Sequence, residues 1–159
     1  IESFLQDATQ TCVDILSRFL FEKRVFEERI SGDIMASRLN TIMIDAQKAS
    51  YGEALDEQYL HPYMWAVKGH YYSSELSFYN FPYAFGQLFG LGVYQMAQQR
   101  PDFGHTYDTL LMLTGQQSAP DVTSSIGCDI TSEAFWQEGI DLIGTYVTRF
   151  CELVGYEGV

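Results

Sequence analysis

The chain has 159 residues, 47% hydrophobic and 15% aromatic, which suits one domain with a sizeable core and excludes a disordered segment. Nine Lys and Arg stand against twenty-one Asp and Glu, a formal net charge of −12; such a surface repels phosphate backbones, so nucleic acid is not an expected partner, and the acidity serves solubility. Cys12, Cys128 and Cys151 form no CxxC pair, and an odd, sparse set of thiols points to a reducing, cytoplasmic setting where they act as small apolar residues.

No basic stretch followed by an apolar one opens the chain, so no signal peptide is expected. The chain starts with Ile, inside a helical pattern, and on that ground reads as a fragment of a longer protein.

From Glu2 to about Ile30 the pattern is that of one long amphipathic helix. Phe4, Ala8, Cys12, Ile15, Phe19 and Phe26 lie near one face, widened by Leu5, Leu16 and Leu20. Ser31 and Gly32 break it, with Gly suited to a C-terminal cap. A second helix is predicted from about Ala36 to Ser50, burying Leu39, Ile42, Met43, Ala46 and Ala49. Tyr51 and Gly52 end it, and an acidic loop or short helical turn follows. His61–Pro62 interrupts any helix. Between Tyr63 and Phe78 no period is clean, and a short hairpin near residues 63–72 is one expectation.

Asn80 is placed as the N-cap of the next helix, with Pro82 in its first turn. This helix, reaching about Gln99, is apolar nearly all round and is expected to be central and buried; Gln87 and the amphipathic neighbours argue against a membrane span. Asp102 caps a helix to Leu113, Ser118 to Ser125 forms another, and Thr131 or Ser132 opens the last. Residues 1–159 thus read as a single all-α, multi-helix unit.

The histidines His61, His70 and His105 are nine and thirty-five residues apart, and none begins an HExxH motif, so no metal site is expected within the chain. No GxSxG elbow occurs. Gly86, Gly90 and Gly92 lie in a helical pattern; close packing is expected for Gly90 and Gly92, while Gly86 stays open between packing and the approach of a ligand. The richest segment is His70 to Tyr83, which gathers Tyr71, Tyr72, Tyr79 and Tyr83 where regularity fails. Tyr79 precedes a helix and Tyr83 lies in its first turn, so both phenols stand at the positive pole of the macrodipole, an arrangement suited to a carbonyl oxygen gaining negative charge. A Tyr-rich core boundary, its hydroxyls satisfied by backbone, explains the same residues equally well.

His70-Tyr-Tyr72 followed by Phe78-Tyr-Asn-Phe-Pro-Tyr-Ala-Phe-Gly86 resembles the C-terminal part of oligoendopeptidase F, a branch of the zinc metallopeptidases related to thimet oligopeptidase. FLQDATQTCVDILSRFLFEKRVFE and DITSEAFWQEGIDLI are similar to that family's flanking helices. The resemblance implies an all-α peptidase acting on short peptides, with one zinc held by HExxH and a downstream Glu, and with Tyr and His donors stabilising the oxyanion. It assigns Tyr79 and Tyr83, then His70, to catalysis, and Tyr72, His61 and Gly86 to substrate binding. The family's zinc ligands lie upstream of the matched segment, so the chain alone is expected to bind no zinc and to cleave nothing. A stand-alone helical binding or scaffold domain is the alternative. Self-association through the first helix or the Phe81–Met96 helix is a further expectation.

Overall fold

The computed structural model describes residues 1–156. It is all-α, with no strand among the described residues. The helices are α1 (Glu2–Thr9), α2 (Ile15–Arg29), α3 (Ala36–Tyr51), α4 (Met64–Val67), α5 (Phe81–Gln99), α6 (Phe103–Leu113), α7 (Ala119–Ser124) and α8 (Glu133–Val154). Where the sequence reads as one unit, the contacts gather into two: Gln6–Phe85, and Ile1–Leu5 with residues from Gly86 onward. Both α1 and α5 contribute residues to each.

The first helix is continuous as expected, but a π turn over Gln10–Asp14 interrupts it, with the Ile15 amide donating to the Gln10 carbonyl. A wider turn changes the angular phase of everything beyond it, so a stripe drawn at 3.6 residues per turn does not carry through. That corrects the expected face of α2. Phe19 and Phe26 are exposed, and the buried side is Ile15, Ser17, Arg18, Phe21 and Glu22.

In the unit Gln6–Phe85, α2 and α3 form an antiparallel hairpin. Arg38, at the start of α3, clasps Glu28 at the end of α2 with two hydrogen bonds of 2.9 and 2.5 Å. At the other end Ser50 donates to the Val13 carbonyl and Tyr51 to Asp14 (2.9 Å). The Arg38 hydrogen bond, then the charges of Arg38 and Arg24, hold the Glu28 carboxyl down to about 2. Phe21, Ile42, Met43 and Ala46 fill the space between the helices, so the predicted stripe of α3 holds except at its exposed last residue, Ala49. Gly52 ends α3 with φ +55°, a backbone that Gly adopts without strain.

The expected hairpin near residues 63–72 does not form. Residues 64–67 make one turn of helix, α4, and Gly69–Tyr71 a 3₁₀ turn. Met64 and Trp65 pack onto the α2–α3 core, and the Trp65 indole donates to Asn40 (2.8 Å). Two adjacent side chains anchored on one side suit a helical turn, whereas a strand would send them to opposite faces.

In the other unit, Val93, Phe103, Leu110, Val122, Ile126, Cys128 and Phe135 form the core, with Phe89, Met96, Ala97 and Trp136 against it. Ser118 caps α7, its Oγ accepting from the Asp121 amide at 3.4 Å. Asp102 and Ser132 stand at the cap positions without a side-chain cap bond. The expectation of a buried α5 fails: only Gly92 and Val93 are buried, while Phe81, Phe85 and Tyr94 are exposed. Its contacts with that core fall on residues 89, 93, 96 and 97, Gly92 lies against Phe135 and Leu88 against Gly139, while Phe81, Phe85 and Tyr94 face a more open side.

Gly92 meets the packing expectation and Gly90 does not. A Cβ on Gly92 would stand 2.8 Å from two ring carbons of buried Phe135, whereas one on Gly90 meets nothing within 4 Å. Gly90→Ala is therefore expected to stabilise the chain by about 0.5–1 kcal/mol through helix propensity. Gly92→Ala is expected to cost about 1–3 kcal/mol through overpacking. Urea titrations check the opposite signs.

Candidate functional site

The segment between α3 and α5 has little regular structure, and side chains tie it to the α2–α3 hairpin. Gln47 of α3, almost fully buried, holds both backbone groups of His61, accepting from its amide (2.9 Å) and donating to its carbonyl (3.0 Å). The His61 ring turns back on its own loop, where Nδ1 accepts the Tyr63 amide at 3.1 Å. That bond leaves Nδ1 without the proton, which resides on Nε2.

Further on, the Phe78 amide donates to the His70 carbonyl at 2.9 Å and closes the loop that carries Tyr72. Phe78 itself has φ +56°, uncommon and strained for a residue with a bulky side chain. Its ring packs against Phe26 (centroids 4.5 Å apart) and Tyr71 (6.0 Å).

Three of the sequence-assigned residues come together beyond this point. His70 Nε2 and the Tyr83 hydroxyl are 3.1 Å apart, with their rings edge to face at 6.0 Å. Tyr79 meets Tyr83 edge to face, also at 6.0 Å, and its ring lies 6.1 Å from Phe81. Tyr79 and Tyr83 are 39% and 38% exposed, so both residues are open to solvent in part while their rings are in contact. Tyr83 lies in the first turn of α5, where the helix presents its positive pole. With the Nε2–H tautomer, His70 donates to the Tyr83 oxygen and frees the Tyr83 proton for a ligand oxygen. With the other tautomer, Tyr83 donates to His70.

The remaining assigned residues stand apart. Tyr72 is exposed and makes none of the ring contacts of this group. His61 is committed to its own loop. Gly86 is exposed with open space around it and belongs to the other unit. Tyr71, beside His70 in sequence, follows the core-boundary alternative instead: it donates to the Arg18 carbonyl (3.3 Å) and packs 5.3 Å from Phe21. Burial, then the nearby Glu22 charge, push its phenol far above the usual range. It keeps its proton and donates inward.

Residues that the sequence pattern did not single out lie beneath the group. Asn80, expected to cap α5, is 1% exposed and turns its carboxamide nitrogen to Glu22 Oε1, while its own Oδ1 is buried with no hydrogen-bond partner. Arg18 pairs with Asp14 one turn back and leaves its Nε unpartnered. The signal was present as charges at positions 14, 18 and 22, four apart and therefore on one helix face. The described residues contain no cluster of three or more His, Cys, Asp or Glu side chains able to hold a metal ion. Comparison with family models, curated proteins and solved structures finds no match for the chain.

Burial raises the Glu22 carboxyl above its ordinary 4.5, an effect the Asn80 hydrogen bond only partly offsets. Folded Glu22 therefore holds its proton more tightly than unfolded Glu22, so its ionisation opposes folding at neutral pH, and that opposition fades as the pH falls through the raised value towards 4.5. Glu22→Gln, which cannot ionise, is expected to melt above the natural chain at pH 7. The difference should vanish near pH 4, and a melting-temperature gap constant from pH 4 to 8 would contradict it.

Proposed function

We propose that the chain is the C-terminal, substrate-cleft portion of a metalloendopeptidase of the oligoendopeptidase F type, acting on short peptides in the cytoplasm. One observation carries the reading: the segment with the family-like sequence brings His70, Tyr79 and Tyr83 together at the start of α5, with His70 and Tyr83 at 3.1 Å. In this reading Tyr83 donates its proton to a scissile carbonyl oxygen as charge develops there, His70 orients that hydroxyl, and Tyr79 walls the position. The zinc of that family has no ligand set among the described residues. Three free cysteines accord with a reducing compartment, and no helix among the described residues is long and apolar enough to cross a membrane.

The test is cleavage of short fluorogenic peptides by the complete protein, with and without a chelator. Chelator-sensitive turnover is expected, and turnover that ignores the chelator would overturn the reading. Within it, Tyr83→Phe should lower kcat roughly 10²–10³-fold with little change in KM, the cost of one oxyanion donor. An unchanged kcat removes Tyr83 from that role.

A non-catalytic binding or scaffold domain is the second reading, favoured by the exposed aromatic side chains of Tyr59, Tyr63, Tyr72 and Phe81. It is distinguished by peptide binding without turnover. Exposed Leu16, Phe19 and Phe26 on α2, with Phe81 and Phe85 on α5, also support self-association. Light scattering should report a mass rising with concentration, and a monomer at every concentration would contradict it.

A further inference from the structure

Glu22 is 4% exposed and has no ion-pair partner among the described residues, since the nearest cation on its own helix, Arg18, is paired with Asp14. A buried carboxyl without a cation is costly, and an apolar side chain of similar volume would fill the place without that cost. What the carboxyl does is accept one hydrogen bond from the carboxamide of Asn80. Asn80 lies between Tyr79 and Phe81, at the entry to α5, and is the most deeply buried residue of that entry.

The other side of the aromatic group depends on the same place. Tyr71, next to His70, is buried close enough to Glu22 to feel its charge. The strained Phe78 holds the His70 carbonyl on its amide and packs its ring on Tyr71. Strain at such a residue persists only where its neighbours hold it, and two residues further on Asn80 is itself bonded to Glu22.

We propose that Glu22 is the positioning residue of the phenol–imidazole group: acting through Asn80, it sets where Tyr79 and Tyr83 stand against His70. The geometry is independent of what the chain does, but its catalytic consequence rests on the peptidase reading above.

The test is made on the 159-residue chain carrying 3-fluorotyrosine at position 83. The fluorine signal and amide exchange at residues 70–83 are followed, with Ile42 and Met43 of α3 as internal reference. Glu22→Leu should shift the fluorine signal and speed exchange at 70–83 at least tenfold, leaving α3 unchanged. Glu22→Gln should keep both at their natural values, because its amide oxygen accepts the same Asn80 N–H. Asn80→Ala should reproduce the leucine variant, the double variant should add nothing further, and these carry the test if Glu22→Leu unfolds the unit. A natural signal in Asn80→Ala, a glutamine variant that behaves like leucine, or exchange rising equally in α3 would overturn the proposal. In the complete enzyme the same step predicts a lower kcat for Asn80→Ala with KM nearly constant. Loss of peptidase activity altogether removes only that last readout, while an unmoved fluorine signal sinks the inference whatever the chain cleaves.

Discussion

The unit Gln6–Phe85 depends on a polar seam buried along α2. Asp14, Arg18 and Glu22 follow one another at intervals of four, so all three project from one side of the helix, and that side faces inward. Groups of this kind destabilise an interior unless each is answered. Here Asp14 is bonded by Tyr51 at the end of α3 and pairs with the Arg18 guanidinium, Asn80 bonds Glu22, and Tyr71 bonds the backbone carbonyl of Arg18. Apolar contact between α2 and α3 tolerates some sliding, because one methyl surface resembles another. Directional bonds to fixed points do not tolerate it, so the seam selects one register for everything laid over the hairpin.

Burial sorts the tyrosines that the sequence places side by side. Tyr71 is sunk beside Glu22, holds its proton and spends its hydroxyl on backbone. Tyr79 and Tyr83 keep their rings in contact and remain partly open to solvent. Tyr71 thus follows the core-boundary explanation, and Tyr79 and Tyr83 do not share its burial. The Tyr83 hydroxyl meets His70, whose ring can exchange donor and acceptor roles by changing tautomer.

Much of the fold was legible because it rests on local rules. The stripe of α3 and the extents of α6 and α8 follow from period and punctuation, which act within a turn or two of helix. The failures share a cause in longer range. The face of α2 was misplaced because a π turn resets the phase, and nothing local in Gln10–Asp14 announces it. Asn80 looked like a cap because its position and residue type fit one, yet a carboxyl 58 residues away claims its side chain. The burial of α5 was overestimated because an apolar surface states a preference for cover, and only tertiary partners decide whether cover is present. That Tyr79 and Tyr83 share the start of α5 was anticipated from the sequence pattern and His70 came with the resemblance; the Glu22 contact beneath them was not anticipated.

An irregular segment carries the candidate chemistry, and irregular backbone has no ladder of its own to hold side chains within a fraction of an ångström. Its precision is borrowed from the hairpin at three points along its length: Gln47 grips both backbone groups of His61, Asn40 takes the Trp65 indole, and Glu22 takes Asn80. The first two fix where the segment leaves and crosses α3. The third fixes where it becomes helix again, which is also where Tyr83 acquires the positive end of α5. A shift at that last point moves the phenol and the helix pole together, away from an imidazole whose own backbone is tied through Phe78. These four bonds to the α2–α3 hairpin thus do for this loop what regular hydrogen bonding does for a strand or helix.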